Sequence, residues 1–189
     1  ENDRAIIEDR LFDYILSKSR EIDYDVIRIF SRTTKEDNAT LDLENLELLI
    51  RGVEEVLVSD SQNVFIYPSK KEIVLKKNRD FRFTGQVRAG LFEFYANECF
   101  FEYDSFRLNL PTIDSLNFQV KSFDTIRGGE YELKKVRNVI EDMSGVLYID
   151  WPENKSGLKN FPQYPIFKSE QESFVYYDQD SVYNRAEFK

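Results

Sequence analysis

Histidine is absent from this sequence, and its absence excludes several common catalytic designs. The 189 residues contain no His, one Cys and one Trp. Without an imidazole, a Ser-His or Cys-His dyad and a His general base are impossible, and almost every type of catalytic zinc site is excluded. The sequence therefore argues against an enzyme, although other catalytic groups are present, and we assign no catalytic residue.

Cysteine and glycine are also scarce. Cys99 is the only cysteine, so no intrachain disulfide and no cysteine-rich metal site can form. It is followed by Phe100 and Phe101, which predicts a small buried hydrophobic side chain and not a nucleophile, since no His could activate it. None of the seven glycines is followed by the Lys-Ser/Thr pair that a phosphate-binding loop requires.

Long hydrophobic runs and a signal peptide are missing too. No stretch approaches the roughly 18 apolar residues of a transmembrane helix, so we predict no transmembrane segment in this chain. The chain begins at Glu1 without a Met and ends in a polar segment at Lys189. We therefore expect it to be a fragment of a larger protein.

Basic residues are too few to balance the acidic ones. The chain has 26 Lys and Arg against 35 Asp and Glu, which gives an acidic net charge of −9. Nucleic-acid binding depends on neutralising phosphates with basic side chains, so we predict no nucleic-acid partner. A cation, a carbohydrate, another protein or other parts of the parent protein are better candidates.

Aromatic residues are abundant, and they lie in an alternating pattern. The chain has 16 Phe and 11 Tyr, which are typical of strands. Between Phe81 and Val120 apolar and polar residues alternate, as they do in a half-buried strand. The apolar set moves from odd to even positions after Ala89, and again between Tyr103 and Phe106. Each shift turns the side chains over and marks a bend or a new strand, so this stretch predicts about three to five antiparallel strands.

The chain as a whole is predicted to be mainly β, as a β-rich α+β fold. We expect an antiparallel meander or sandwich-like sheet, an N-terminal helix packed on it and an irregular C-terminal arm. Asn2 or Asp3 could cap the helix, which would run to about Ser19. Its apolar stripe would consist of Ile7, Leu11, Tyr14 and Ile15. We divide the chain into a helical appendage (1–30), an antiparallel β domain (40–149) and an extended Pro/Tyr-rich arm (150–189), within one folded unit.

The segments after Val120 are less regular. Residues 131–143 fit either a strand pair or a helix, and we favour strands because a hairpin into residues 145–149 would continue the meander. The arm cannot be a helix or a central strand because it contains three closely spaced prolines. These are Pro152, Pro162 and Pro165.

An internal repeat places an Asp followed by Ser or Thr at intervals of ten residues. Its members are Asp104, Asp114 and Asp124. Spacings of about 8 to 12 residues are typical of short strands joined by turns, where Asp and Ser side chains commonly bond the backbone. The alternative is that the three carboxylates bind a hard cation such as calcium, which is the one cofactor that the sequence suggests.

The tryptophan lies in a cluster that could bind a ligand. Trp151 has carboxyl, amide and phenol groups near it in the sequence, namely Asp150, Glu153, Asn154, Tyr148 and Tyr164. An aromatic face with adjacent polar groups is typical of small-molecule sites, including those for carbohydrate. The alternative is that the aromatic side chains anchor the arm onto the core.

Three segments carry a resemblance to other proteins. They are 83–95 (FTGQVRAGLFEFY), 145–167 (GVLYIDWPENKSGLKNFPQYPIF) and 173–178 (SFVYYD). These segments resemble parts of a family of large uncharacterised bacterial proteins that are associated with the cell envelope. The resemblance implies a periplasmic or cell-envelope location and a longer parent protein. It transfers no functional residue, because the segments contain no catalytic motif.

Taken together, these features predict a non-enzymatic structural or protein-interaction module of a larger cell-envelope protein. The alternative is a carbohydrate-binding or carbohydrate-active module that uses Trp151 and the neighbouring carboxylates.

Overall fold

A computed structural model shows an antiparallel β structure. It describes the backbone of residues 7–8, 11–12, 15–18, 24–32, 37–125, 131–135, 140–141, 143–170 and 174–175, with side chains at 27–32, 37–120 and 143–170. The described residues form seventeen strands and one short 3-10 turn, Pro152–Asn154. The strands are β1 (Ile7–Glu8), β2 (Leu11–Phe12), β3 (Ile15–Lys18), β4 (Tyr24–Arg32), β5 (Ala39–Asp42), β6 (Glu47–Arg51), β7 (Val53–Ser59), β8 (Val64–Pro68), β9 (Glu72–Leu75), β10 (Phe81–Ala89), β11 (Phe92–Glu102), β12 (Arg107–Thr125), β13 (Tyr131–Lys135), β14 (Ile140–Glu141), β15 (Met143–Tyr148), β16 (Ile166–Ser169) and β17 (Phe174–Val175).

The predicted N-terminal helix is wrong for the residues that the structure describes there. These residues form β1, β2 and β3, and β3 pairs with β4 so that Ile15 lies opposite Ile27. The apolar spacing of the segment fits a helix, but β4 is rich in β-branched residues and its edge can satisfy the backbone groups of a neighbouring strand. Pairing with β4 therefore outweighs the local helical spacing. Tyr14 lies outside the described residues.

Long strands follow one another as an antiparallel meander. Strands β6 and β7 run alongside β9 and β8, with Leu48 opposite Leu75 and Val56 opposite Ile66. Strand β10 then pairs with both β8 and β9, β11 with β10, β12 with β11, and β15 with β12. Strands β4 and β5 flank β7 and β6 on one side, and β16 flanks β15 on the other. The antiparallel meander predicted from the alternation is thus confirmed.

The strands favoured for residues 131–143 are also confirmed in the described backbone. Strand β13 pairs with the end of β12, and β14 pairs with β12 at Leu116. In the arm, β16 and β17 pair with β15 and β14, so part of the arm joins the sheet. Pro152 begins the 3-10 turn, and Pro165 immediately precedes β16. Both positions are compatible with proline's missing N–H.

A line of irregular residues crosses the sheet and bends it. Gly52, between β6 and β7, has a φ of 74°, and the register of β10 against β11 shifts just before Gly85. In β11, Glu98 has a φ of 53°, and in β12 the register against β15 shifts after Leu110. Strand pairing, backbone hydrogen bonds and a hydrogen bond from the Glu98 nitrogen to Oγ1 of Thr84 connect these positions from one strand to the next. Because bulges bend and twist the strands that contain them, their alignment bends the whole sheet.

Gly85 occupies the tightest position on this line. A Cβ at this position would lie 2.3 Å from the backbone oxygen of Tyr67 and 2.8 Å from the backbone nitrogen of Ser69. These backbone atoms are held by the sheet and cannot move aside cheaply. The close approach of strands β8 and β10 at the bend therefore requires glycine here.

The inner face of the bent sheet forms the hydrophobic core. Every second side chain of β10 is buried, from Phe81 to Ala89, and the ring centroids of Phe81 and Phe101 are 4.7 Å apart. The phase shifts read from the sequence coincide with the turn at Gly90 between β10 and β11 and with the turn that ends at Phe106. The buried apolar side chains on both sides of the bend form one continuous cluster.

The outer face carries partly exposed ion pairs. The carboxylate of Glu47 forms ion pairs with Arg82 at 2.8 Å and with Lys76 at 3.3 Å. Arg107 forms an ion pair with Glu102 at 2.8 Å. These pairs link neighbouring strands of the meander. Solvent screens them, so each is expected to contribute about 1 kcal/mol or less to stability.

Candidate functional site

Residues 150–165, which we call the clasp, close the open end of the bent sheet. Gln62, in the turn between β7 and β8, donates a hydrogen bond from Nε2 to Oδ2 of Asp150 over 3.1 Å. Asp150 follows β15, at the far end of the strands from that turn. In a flat sheet the two ends would lie at least about 25 Å apart, because the length of β10 separates them at roughly 3.3 Å per residue. The hydrogen bond therefore depends on the bend.

Asp150 is buried at the centre of this closure, with 1% of its surface exposed. Its carboxylate also accepts hydrogen bonds from Nδ2 of Asn154 at 2.8 Å and from the backbone nitrogen of Trp151 at 2.7 Å. Asn154 is held in turn by Lys159, because its Nδ2 donates to the Lys159 oxygen and its Oδ1 accepts from the Lys159 nitrogen, both at 2.9 Å. The carboxylate is thus fully engaged in holding the clasp.

The six residues predicted to bind a ligand do not share one environment. Asp150 and Asn154 are hydrogen-bonded to each other inside the clasp, whereas Glu153 is exposed and Trp151 is 49% exposed. Tyr148 is half-buried in β15, and Tyr164 is half-buried near the end of the clasp. The ring of Phe161 lies 6.4 Å from the Trp151 ring, between centroids. Only Trp151 and Glu153 offer largely exposed groups to a ligand, so ligand binding stays a prediction for that exposed side.

Of the three aspartates of the repeat, one lies in a turn and the other two lie on the strand that follows it. Asp104 is exposed in the turn before β12, and Asp114 lies ten residues further, within that strand, where both its oxygens accept hydrogen bonds from Nδ2 of Asn97 at 3.0 and 2.8 Å. The backbone of Asp124 also belongs to β12, but its side chain lies outside the described part. Ten residues of strand span about 33 Å. The repeat therefore reflects one long strand, and within the described residues no cluster of three Asp, Glu, His or Cys side chains could hold a metal ion.

Cys99 is a buried core residue, as its aromatic surroundings predicted. None of its surface is exposed, and it lies next to the bulge in β11. Burial raises the pKa of the thiol to about 12, so the reactive thiolate is suppressed at neutral pH. This side chain packs and is not available as a nucleophile.

A small pocket beside the clasp escaped the sequence analysis. It has a volume of about 180 Å³ and is bounded by β4, β7, the turn after β7, and the middle of the clasp. Its polar lining residues are Arg28, Ser59, Asp60, Ser61, Lys155 and Ser156. The Ser59–Ser61 turn is visible in the sequence, but only the bend brings it against residues almost a hundred positions later.

The hairpin of β5 and β6 exposes three large apolar side chains. Leu41, Leu43 and Leu46 are 58%, 75% and 48% exposed, and we call residues 39–46 the β5 edge. In the part of the chain that the structure describes, β5 pairs with β6 alone, so its other side presents unpaired backbone groups. Leu41 lies opposite Leu48, which packs on the core, so the apolar row of the inner face continues outward to this edge. Such an edge is a template for an additional strand.

Comparison with known proteins yields no relative from which a role could be transferred. No protein-family model, no curated protein and no solved structure matches this chain. Among the described residues, no helix has the length and apolar character that crossing a membrane requires. Function must therefore be argued from the surfaces and side chains described above.

Proposed function

We propose that this chain is a non-enzymatic structural or protein-interaction module that contacts another polypeptide segment through the β5 edge. The observation that carries this proposal is that β5 has one unpaired side among the described residues, with Leu41 exposed on the strand and Leu43 and Leu46 exposed in the adjoining turn. A strand added there would satisfy backbone groups and cover Leu41.

The opposite edge of the sheet supports this choice. Strand β16 follows Pro165 and contains Lys168, and both residue types hinder the addition of a further strand. Strand β5 has the sequence ATLD, with neither proline nor lysine. These two described edges thus differ in protection, and of the two only the β5 edge combines unpaired backbone groups with exposed large apolar side chains.

The partner in this proposal is another part of a larger protein or a second protein at the cell envelope. This location follows the resemblance of residues 83–95 and 145–167 to envelope-associated bacterial proteins. An apolar strand edge suits a lasting structural contact, because burying leucine side chains stabilises an interface without requiring a precise polar match.

The test is site-specific photocrosslinking in vivo, in the full-length protein expressed in its native cells. A photoreactive phenylalanine analogue replaces Leu43 in one variant and Leu158, which is 69% exposed on the clasp, in the control variant. We expect the analogue at position 43 to give one dominant crosslink to a defined polypeptide segment, identified by mass spectrometry. No crosslink at position 43, or the same diffuse products from both positions, would contradict the proposal.

A carbohydrate-binding module is the second candidate, favoured by the half-exposed ring of Trp151 beside Phe161. Exposed aromatic faces stack well on sugar rings, and Trp151→Ala would remove the larger face. We expect that variant to lose retardation in affinity gel electrophoresis on immobilised polysaccharide, while Leu91→Ala, which removes another exposed apolar side chain, retains it. Equal mobility of Trp151→Ala and the unmodified chain would rule this candidate out.

A further inference from the structure

The pocket beside the clasp has the shape and charge of a site for a small anionic ligand. The turn at Ser59–Ser61 forms one wall, residues 155–158 of the clasp form another, and Arg28 projects from β4. We propose that this pocket binds one acidic sugar unit, a hexuronate, with its carboxylate between the side chains of Arg28 and Lys155.

Two basic residues, Arg28 and Lys155, line the pocket, and neither forms an ion pair with a described carboxylate. The ammonium group of Lys155 donates a hydrogen bond to the Pro152 carbonyl and lies 5.2 Å from the ring centroid of Tyr103 and 5.9 Å from that of Phe106. These contacts position the charge but do not neutralise it. Arg28 is exposed and makes no ion pair with any described residue. Both side chains can therefore form charge-assisted hydrogen bonds with a carboxylate.

The remaining lining groups suit a ligand that also carries hydroxyl groups. The hydroxyls of Ser59 and Ser61 lie 3.3 Å apart, and Ser156 adds a third hydroxyl from the clasp. Asp60 is the carboxylate in the lining, and it can accept hydrogen bonds from sugar hydroxyls but would repel a multiply charged anion. Two cations and one carboxylate leave a single positive charge, which matches a monoanion.

The size of the pocket limits the ligand to a single ring. Its volume of about 180 Å³ is smaller than the roughly 300 Å³ at which pockets for larger small molecules begin. Leu57 and Leu158 supply apolar surface against which the C–H groups of a pyranose can pack. Neither of them belongs to the β5 edge, so this inference does not depend on the protein-contact proposal.

The direct test is calorimetric titration of the whole chain with three probes: glucuronate, glucose and inorganic phosphate. Glucuronate and glucose share the ring and most hydroxyls but differ in the carboxylate. We expect saturable binding of glucuronate, at least about tenfold weaker binding of glucose because the charge-assisted contacts are lost, and weaker binding of phosphate because of Asp60.

A matched pair of variants locates the site. Arg28→Gln removes one cation from an exposed side chain without described partners, so we expect an unchanged melting temperature and about tenfold weaker glucuronate binding. The control is Arg88→Gln, which removes an exposed arginine three strands away in the same row of the sheet. We expect Arg88→Gln to bind glucuronate as the unmodified chain does.

Each other result overturns part or all of the inference. Equal affinity for glucose and glucuronate would show that the carboxylate of the ligand makes no favourable contact. Tighter binding of phosphate than of glucuronate would show that the pocket recognises an oxyanion and not a sugar. Unchanged glucuronate affinity in Arg28→Gln would place the binding elsewhere. Absence of saturable glucuronate binding up to about 10 mM would refute the site altogether.

Discussion

Phe100 and Phe101 are neighbours in β11, yet they lie on opposite faces of the sheet. Phe101 is fully buried, with ring contacts to Phe81 at 4.7 Å and to Phe106 at 6.0 Å between centroids. Phe100 is half-buried on the outer face, with the Lys76 ammonium 5.8 Å from its ring centroid. The same side chain therefore has two environments that are set only by strand alternation.

Two carboxylates show the same difference in environment between the interior and the outer face of the sheet. Asp150 is enclosed by the clasp and bonded only to groups of the chain itself. Glu102 lies on the outer face, where partial burial raises its pKa but hydrogen bonds from Asn109, Ser105 and Arg107 outweigh that effect, so the pKa is lowered overall. We therefore expect the inner face and the clasp to contribute most of the free energy of unfolding, and the outer face to contribute much less.

The largest difference is expected from truncating the two phenylalanines separately. Phe101→Ala should lower the free energy of unfolding by about 3 to 5 kcal/mol, because it leaves a cavity in the core. Phe100→Ala should cost only about 1 kcal/mol, since much of that ring already contacts water. Urea unfolding followed by tryptophan fluorescence measures both values. Equal losses would show that the two faces are not distinct in energy.

The clasp should show the next largest effect. Asp150→Ala removes one of the two acceptors of Gln62 Nε2 and of Asn154 Nδ2 and so leaves one buried N–H of each unpaired, and we expect a loss of about 2 to 4 kcal/mol in the free energy of unfolding. Glu153→Ala, three residues later and exposed, should change it by less than about 0.5 kcal/mol. Thermal and urea denaturation of both variants provide the comparison. A neutral Asp150→Ala would mean that the clasp does not stabilise the sheet.

Glu102 should give a smaller effect that depends on pH. Its pKa in the folded chain is below the value of about 4.3 expected in the unfolded chain, so its stabilising contribution is complete above that value and is lost as the pH falls through the folded pKa. The stability difference between the unmodified chain and Glu102→Gln, at most about 1 kcal/mol, should therefore be constant near neutral pH and disappear in acid. A difference that grows on acidification would have the wrong sign.

The smallest effect is expected at the exposed pair of Arg82 and Glu47. Arg82→Ala should lower the free energy of unfolding by about 0.2 to 1 kcal/mol, and about 1 M salt should remove most of that difference. Chemical denaturation at low and high salt measures it. A loss as large as that of Asp150→Ala would show that the outer face holds the fold as strongly as the clasp.

The alternation between Phe81 and Val120 predicted the strands and their changes of phase correctly. It succeeds because a two-residue period is a local property of a sheet with one wet face. The same reasoning failed near the N-terminus, where helical spacing from Ile7 to Ile15 misled the prediction, because the partner strand β4 lies further along the chain. The Asp repeat was predicted to mark turns, which is right for Asp104 but wrong for Asp114 and Asp124, since spacing cannot separate a series of turns from one long strand.

The candidate site was less accessible to sequence reasoning. Trp151 and Asp150 are adjacent, yet one presents its ring to solvent and the other is buried, and only the course of the clasp decides which. No sequence pattern indicated that Gln62 or Arg28 belongs to a functional site. Their importance comes from contacts with residues that lie far along the chain, such as the hydrogen bond from Gln62 to Asp150.

The sequence alone determined that this chain is an antiparallel β protein, which side chains of β10 to β12 face the core, and that histidine-dependent chemistry is excluded. These properties depend on residue type and on neighbours one or two positions away. The tertiary structure decided the bend at Gly85, the closure by the clasp, the pocket beside it and the open β5 edge. Each of these features depends on contacts between segments that are distant in the sequence. Burial and hydrogen bonding across the whole sheet supply the free energy that favours these contacts, and a local sequence pattern does not predict them.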